Sequence, residues 1–443
     1  MTRFFKKVTF PVMERYSHTC IQRHLDFIKT TQWWSAEDLE KLQLKKLRAM
    51  IIHSYENVPY YHRLFRENNL QPDDIKCKLD LKKIPVLSKD IIRKNQNDLL
   101  AQNISSSKIM KTYSSGSTGE PFSYFLDLNS YSAGWAQTFR CWGWGGYEIG
   151  DHYVKISLNP RTSAHKKMQD LLLKTKYVYA LQLNEETILE EIEKIRKFRP
   201  KIIRGYASHL YAIAKLMEKS DIEYSGASIT TTGDMLFPHY RDAIERQFNC
   251  RVFDAYGGEG TPVSFECEEH RGYHISDEDV IVEFLREGSE VSTGETGNIT
   301  FTNLNNYAMP FIRYEINDLG KPSDEKCSCG RCLSMMEQIE GRDSDIIITP
   351  RGDIFVVHFF TIFFEYIEGV DQFQVIQEEK NKILIKLKKN EHFNDSDYYL
   401  IKERLQEKMG DDMEIIIDVV DEIPLSGRSG KRRFVISKVP LKL

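Results

Sequence analysis

The hexapeptide Ser114–Gly119, within TYSSGSTGEPFSYF (112–125), holds four hydroxyl side chains and two glycines. Two readings fit it. One is a flexible Ser/Gly linker. The other is an anion loop, in which Gly116 and Gly119 let backbone amides come close while Ser114, Ser115, Ser117 and Thr118 donate hydroxyls. A Walker A loop is excluded, because no Gly-Lys-Ser/Thr follows. A second constellation lies in CEEHRGYH (267–274) and CSCGRC (327–332). Cys267, His274, Cys327 and Cys329 form a four-ligand set of zinc type, with Cys332 a spare thiol and His270 an alternative imidazole. Four protein ligands leave no position for water, so such a metal is structural; the other reading is reduced cysteines in a loop. A third lies in LSGRSGKRRF (425–434), where Lys431 sits in a loop framed by Gly427 and Gly430 beside Arg428, Arg432 and Arg433. It reads as a solvated basic face or as a mobile cationic tip. Asp318 in NDLG reads as a turn residue or as an acceptor-only carboxylate suited to hydroxyls. Glu259 reads as a solvated loop acid or as a ligand for a hard cation.

The elements that must position these groups follow from periodicity. Residues 1–100 read mainly as helix; SAEDLEKLQLKKLRAMIIHSYENV starts with a capping serine, Ser35, and carries apolar residues at helical spacing. From about 108 to 320, HYVKIS, YVYALQL, KIIRGYAS, ASITTTGD and RVFDAYGG read as strands, alternating with the helices ETILEEIEKIRKF, SHLYAIAKLMEK and PHYRDAIERQF. That alternation predicts an α/β unit with a substantial parallel sheet. After about 345 the strands DQFQVIQEE, NKILIKLKK and MEIIIDVVDEI and a helix around 396–409 predict a small α+β unit. The organisation expected is a large unit over 1–343, helical up to 100, and a small C-terminal one over 344–443, joined at EGRDSD (340–345). In SYSAGWAQTFRCWGWGGYEIG (130–150), Tyr131, Trp135 and Phe139 recur at i, i+4 and i+8, a helical stripe that reads as core or as pocket wall. RGYASHL (204–210) is another candidate wall.

Taken together, five segments in order resemble the adenylate-forming superfamily of acyl- and aryl-CoA synthetases, peptide-synthetase adenylation domains and luciferases. The Ser114–Gly119 loop is similar to its phosphate loop, and DAYGGEGTP (254–262) to its Tyr-Gly-x-x-Glu segment. PFIRYEINDLG (310–320) resembles its Arg-Tyr…Asp segment, EGRDSD its Gly-Arg hinge and LSGRSGKRRF its C-terminal Gly-Lys loop. SYENVPYYHRLF (54–65) and LKKIPVLSKDIIRKN (81–95) resemble the phenylacetate–coenzyme A ligase and CapK-like branch. Two departures stand out. Pro121 is followed by Phe122 where many relatives have lysine, and Ser344 replaces an aspartate of the hinge.

The resemblance implies ATP-dependent activation of a carboxylic acid to an acyl-adenylate and pyrophosphate, then transfer to an acceptor. That acceptor is the thiol of coenzyme A or, on the CapK side, an amine, hydroxyl or carrier thiol. It implies ATP held by the loop, with Thr118, Glu259 and Lys431 acting in catalysis. Glu259 would hold Mg²⁺ and Lys431 would bring its cation to the α-phosphate. Gly233 and Asp234 would line the adenine, Tyr256 and Gly257 the nucleotide, and Asp318 with Arg342 the ribose. Tyr131, Trp135, Tyr206 and Gly258 would line the acid pocket. The zinc set is the one given by Cys267, His274, Cys327 and Cys329.

Composition excludes other classes. The net charge of −4 gives no basis for a nucleic-acid partner. The longest apolar run, FVVHFFTIFFEYI (355–367), is shorter than the ~20 residues that span a bilayer. No apolar run near the N-terminus suits a signal peptide, so the expected location is cytoplasmic, where eight cysteines do not make a disulfide framework.

Overall fold

A computed structural model describes residues 4–113, 123–157, 164–179, 187–342, 346–351, 353–365, 367–424 and 433–439. The chain divides into two compact units. The larger is built from the chain up to Gln338; the smaller runs from Ile339 onward and takes in Asn317–Gly320.

The larger unit opens with helices whose ends are written in the sequence. Ser35 Oγ accepts the Asp38 amide at 3.1 Å, and Glu37 and Asp38 occupy the first turn of the helix Ala36–Asn57. Pro59 then forbids continuation and starts the next helix, Pro59–Glu67, from its first turn. Leu39, Gln43, Leu47, Met50, Ile51 and Ser54 form the buried stripe of the longer helix.

Behind these helices lies a twelve-stranded sheet. One half is parallel: Thr175–Tyr179, Tyr153–Ser157, Ile202–Gly205, Ser228–Thr232 and Val252–Gly258, interleaved with Ile188–Phe198, Ala207–Lys219 and Pro238–Phe248. This is the substantial parallel sheet that alternation predicts, and the other half adds antiparallel pairs beside it. Thr261–Glu266 returns directly against Val252–Gly258, and Tyr273–Ile275 and Met335–Arg342 follow antiparallel. Val280–Arg286 also pairs antiparallel with Gly297–Asn303. For Val252–Gly258, Thr261–Glu266 and Tyr273–Ile275 the reason is connection length: these three are joined by short turns, whereas a parallel neighbour needs a crossover of about a dozen residues.

The helices are tied to the sheet through a buried acidic segment. Glu278 Oε1 accepts Arg140 Nη1 at 2.7 Å and Thr31 Oγ1 at 2.8 Å. Lys46 Nζ bonds the Glu278 carbonyl at 2.6 Å and Asp279 at 3.1 Å. Asp277 accepts the Ser334 amide at 2.6 Å and Gln43 Nε2 at 3.3 Å, and burial pushes its carboxyl up to about 6.

The smaller unit carries a four-stranded sheet in the order Glu414–Val419, Lys382–Lys389, Val370–Glu379, Val435–Ser437. Val375, Ile383, Ile385 and Leu387 of the sheet and Ile401 and Leu405 of the helix Asp395–Met409 are all fully buried. Gln377 clamps the strand Ile346–Ile348 with both ends of its amide, accepting from Ile348 N at 3.0 Å and donating to Ile348 O at 2.7 Å.

Candidate active site

The hairpin Val252–Glu266 is the best-defined part. Gly258 pairs with Thr261, leaving Glu259 and Gly260 as a two-residue turn. Their φ values of 50° and 73° are what a type I′ connection requires. The glycines before the turn are demanded by contact. A Cβ on Gly257 would lie 2.3 Å from the Thr261 carbonyl, and one on Gly258 2.2 Å from Ile316 Cδ1. The base of the hairpin is braced from outside. Arg241 Nη2 bonds both Glu266 oxygens at 2.7 and 2.8 Å, and the Asp254 amide adds a third bond to Glu266 at 2.9 Å. Tyr273 donates to Asp254 at 2.8 Å. Burial and the neighbouring Glu266 push the Asp254 carboxyl up.

The turn faces the strand Ser123–Asp127. A Cβ on Gly260 would stand 2.8 Å from Leu126 and 3.4 Å from the Tyr124 ring. Tyr124 is pushed up to about 12 by burial, with the charge of Glu259 adding to the shift. This strand pairs antiparallel with Ile109–Tyr113, ending at Tyr113↔Ser123. The segment 114–122 therefore begins and ends on adjacent strands, although Ser114, Ser115, Gly116, Ser117, Thr118 and Gly119 lie outside the described residues. Tyr124 is the contact that sequence reading did not select; an aromatic at the loop exit carries no motif of its own.

Gly233, with φ 83°, ends the strand Ser228–Thr232 and aims Asp234 back at a neighbouring helix. Asp234 accepts the amides of Ala207 at 2.7 Å and Ser208 at 3.2 Å, and the Ser208 hydroxyl, so it caps Ala207–Lys219 from 26 and 27 positions away. Tyr206, at the cap position, is half-buried beside it; burial and then the Asp234 charge raise its phenol.

Asp318 is half-buried in the strand Tyr314–Ser323, and Asn317 before it has a φ of 66°. The arginine of the same motif has a structural partner: buried Arg313 bonds Glu283 through Nε at 3.0 and 3.1 Å and the Ile84 carbonyl at 2.7 Å. Arg342 ends the strand Met335–Arg342; its side chain, Ser344 and Lys431 lie outside what is described. Beyond Lys431, Val435 pairs with Val375, and the Arg433 carbonyl accepts Gln374 Nε2 at 2.9 Å, so the exit of the basic loop is fixed to a central strand.

Tyr131 and Trp135 lie on the helix Leu128–Trp144, capped by Asp127 through the Ser130 amide at 2.7 Å. Trp135 packs against a core of Phe5, Phe10, Phe139 and Trp142, and Tyr131 meets its ring edge-on at 6.5 Å.

The ligand atoms of Cys267, His274, Cys327 and Cys329 all lie within 4.8 Å of one another. Cys267 Sγ stands 3.6 Å from Cys327 Sγ, and Cys329 Sγ 3.3 Å from His274 Nε2. Thiolates on a tetrahedral zinc stand about 3.8 Å apart, so the set fits that ion. Burial, then Arg331 and Arg140, push His274 down to about 4, which keeps its imidazole neutral. The alternatives lie outside this cluster: His270 stands 3.5 Å from Glu266, and the Cys332 thiol is on an exposed residue.

This fold is shared with solved coenzyme A ligases. The structure of 2-hydroxyisobutyryl-CoA ligase in the postadenylation state superposes with a TM-score of 0.74 at 17% identity, over 92% of this chain and 91% of that one. In sequence the chain is similar to phenylacetate–coenzyme A ligases: it is 27% identical to the Aromatoleum evansii protein over 72% of this chain and 74% of that one. It is 23% identical to Protein CapK of Staphylococcus aureus over 91% and 90% of the two chains. Residues 347–438 match the CapK C-terminal domain.

Proposed function

We propose that the protein activates a carboxylic acid with ATP, forming an acyl-adenylate and pyrophosphate, and then passes the acyl group to an acceptor. The observation that carries this reading is the Glu259 turn seated against Leu126 and Tyr124, on the strand that leaves the 114–122 loop. A carboxylate set beside a hydroxyl- and amide-rich loop suits a triphosphate with its divalent cation. Glu259 holds Mg²⁺, which neutralises phosphate charge. The hydroxyls of Ser114, Ser115, Ser117 and Thr118 and the amides at Gly116 and Gly119 hold the phosphates. Asp318 and Arg342 hold the ribose, with Tyr256 and Gly257 beside the nucleotide and Gly233–Asp234 against the adenine. Lys431 brings its cation to the α-phosphate as the carboxylate oxygen attacks, where charge develops. Gly258, Tyr206, Tyr131 and Trp135 line the way to the acid. Cys267, His274, Cys327 and Cys329 hold a structural zinc, and the enzyme works in the cytoplasm.

The test is carboxylate-dependent ATP–pyrophosphate exchange across a panel of acids, followed by an acceptor panel with the best one. Exchange above the acid-free rate is expected; none with any acid overturns the reading. For the acceptor, the match to CapK spans nearly the whole chain, while the matched ligases leave about a quarter uncovered. The fold match to 2-hydroxyisobutyryl-CoA ligase spans as much of the chain, so the coenzyme A thiol, an amine, a hydroxyl and a carrier thiol all stay open, and the acceptor panel decides between them.

A further inference from the structure

The N-terminal segment has a face the proposed chemistry does not use. Phe5–Thr9 and Phe10–Ser17 form one continuous helical rod. Its inner face is fixed: Phe5 and Phe10 are buried in the aromatic core with Phe139 and Trp142, and the Lys174 ammonium stands 5.1 Å from the Phe5 ring. Its outer face carries Phe4, Val8, Val12 and Tyr16, spaced by four and 66%, 45%, 64% and 90% exposed. Residues four apart on a helix lie one above the other, so these side chains make a single apolar stripe.

The exposed charges that the rod itself carries are of one sign. Lys7 and Arg15 are exposed beside the stripe and Arg3 precedes it in the sequence, while Lys6 is half-buried and paired with Glu148 at 3.4 Å. Glu14, the only acid of the segment, is turned inward, where its carboxylate accepts the Gln22 amide at 3.1 Å and burial raises it. A chain of net charge −4 thus concentrates cations on one apolar surface. Among the described residues no helix is long and apolar enough to cross a membrane, so this face would lie on a surface and not span one.

We propose that the outer face of this rod is a docking surface for an anionic lipid bilayer. Phe4, Val8, Val12 and Tyr16 would enter the headgroup–acyl boundary while Lys7 and Arg15 pair with lipid phosphates. An apolar stripe edged by cations, with its one carboxylate withdrawn, is the chemistry that an anionic interface recognises. A second copy of the chain would bring the same cations against themselves, which disfavours self-pairing of this face.

The experiment is sedimentation of the full chain with vesicles of phosphatidylcholine alone or mixed with phosphatidylglycerol. Binding to the mixed vesicles is expected, weakened by salt and at least tenfold weaker without the anionic lipid. Two variants must each lower it about tenfold or more: Phe4→Ser/Val8→Ser/Val12→Ser, and Lys7→Glu/Arg15→Glu. ATP–pyrophosphate exchange and the thermal melt stay as in the parent. If the apolar variant shifts the melt, the charge variant carries the reading alone, since its residues are exposed. Failure to bind the mixed vesicles, or equal binding by parent and charge variant, overturns the proposal. So does a result in which the stripe variants change only the sedimentation mass, because a second copy then covers the face. None of these outcomes bears on whether the acid is adenylated.

Discussion

Among single residues, Lys431 carries the heaviest chemical burden in the proposed reaction, because it alone delivers a cation to the oxygens where charge appears. Lys431→Ala is expected to cost on the order of 3–4 kcal/mol in the adenylation barrier while ATP binding stays close to normal. Pyrophosphate exchange beside ATP titration calorimetry separates the two, and near-normal exchange removes Lys431 from the chemistry. Asp318 is expected to behave differently. A carboxylate that accepts from two ribose hydroxyls contributes to binding before and during the reaction alike, so Asp318→Ala raises the KM for ATP about tenfold with a smaller change in kcat. A shift confined to the carboxylic acid's KM reassigns Asp318 to the acid pocket. Arg313 shows why residue type alone misleads. It sits in the same run as Asp318, yet its guanidinium is spent on Glu283 and a backbone carbonyl.

At the scale of elements, the Glu259 hairpin turns on sterics. Gly257→Ala drives a methyl to 2.3 Å from the Thr261 carbonyl, so the turn must open or shift. A loss of about 2–3 kcal/mol of stability is expected, with a fall in exchange activity larger than the unfolded fraction explains. Gly143→Ala is the control: nothing lies within 4 Å of the added methyl, and in the helix Leu128–Trp144 it is neutral or stabilising by about 0.5–1 kcal/mol. Denaturant melts of both variants check the contrast, and equal losses refute the steric account. The buried acidic segment gives a pH test. Asp277 is held above its ordinary carboxylate value, at about 6, by burial. The native state therefore holds a proton that the unfolded chain has released, and this contribution to stability weakens as pH rises from about 4 to 6. Relative to the parent, Asp277→Asn should flatten the stability profile in that window by on the order of 2 kcal/mol. Parallel slopes for the two proteins would mean that Asp277 titrates normally.

Over the whole molecule, legibility follows the range of the interaction. Ser35, the apolar stripe of Ala36–Asn57, the parallel strands of the large unit and the strands Val370–Glu379, Lys382–Lys389 and Glu414–Val419 are set by neighbours a few positions away, and periodicity finds them. The antiparallel half of the large sheet is not legible in this way: the helix–strand alternation stops at Val252–Gly258 and picks out none of the strands from Thr261–Glu266 to Met335–Arg342. The run Asp277–Asp279 is buried with nothing nearby in the sequence to mark it, since its partners Thr31, Gln43, Lys46 and Arg140 lie more than a hundred residues away. The proposed zinc is the long-range tie most open to test. Protein purified without chelator is expected to hold about one zinc per chain, and Cys327→Ser/Cys329→Ser to lose both the metal and several degrees of melting temperature. Full zinc content in that double variant defeats the ligand assignment.

The reach of Asp234 bears on anyone who would redesign which acid is accepted. Its carboxylate grips the first amides of Ala207–Lys219, so the start of that helix and the turn at Gly233 move as one mechanical part. A library that randomises Tyr206–Leu210 to change acid preference also loosens the turn that would carry the nucleotide. Selections scored on one acid at limiting ATP will then discard variants for the wrong reason. Screening at saturating ATP, with Asp234 and Ser208 left intact, separates altered preference from a slackened turn.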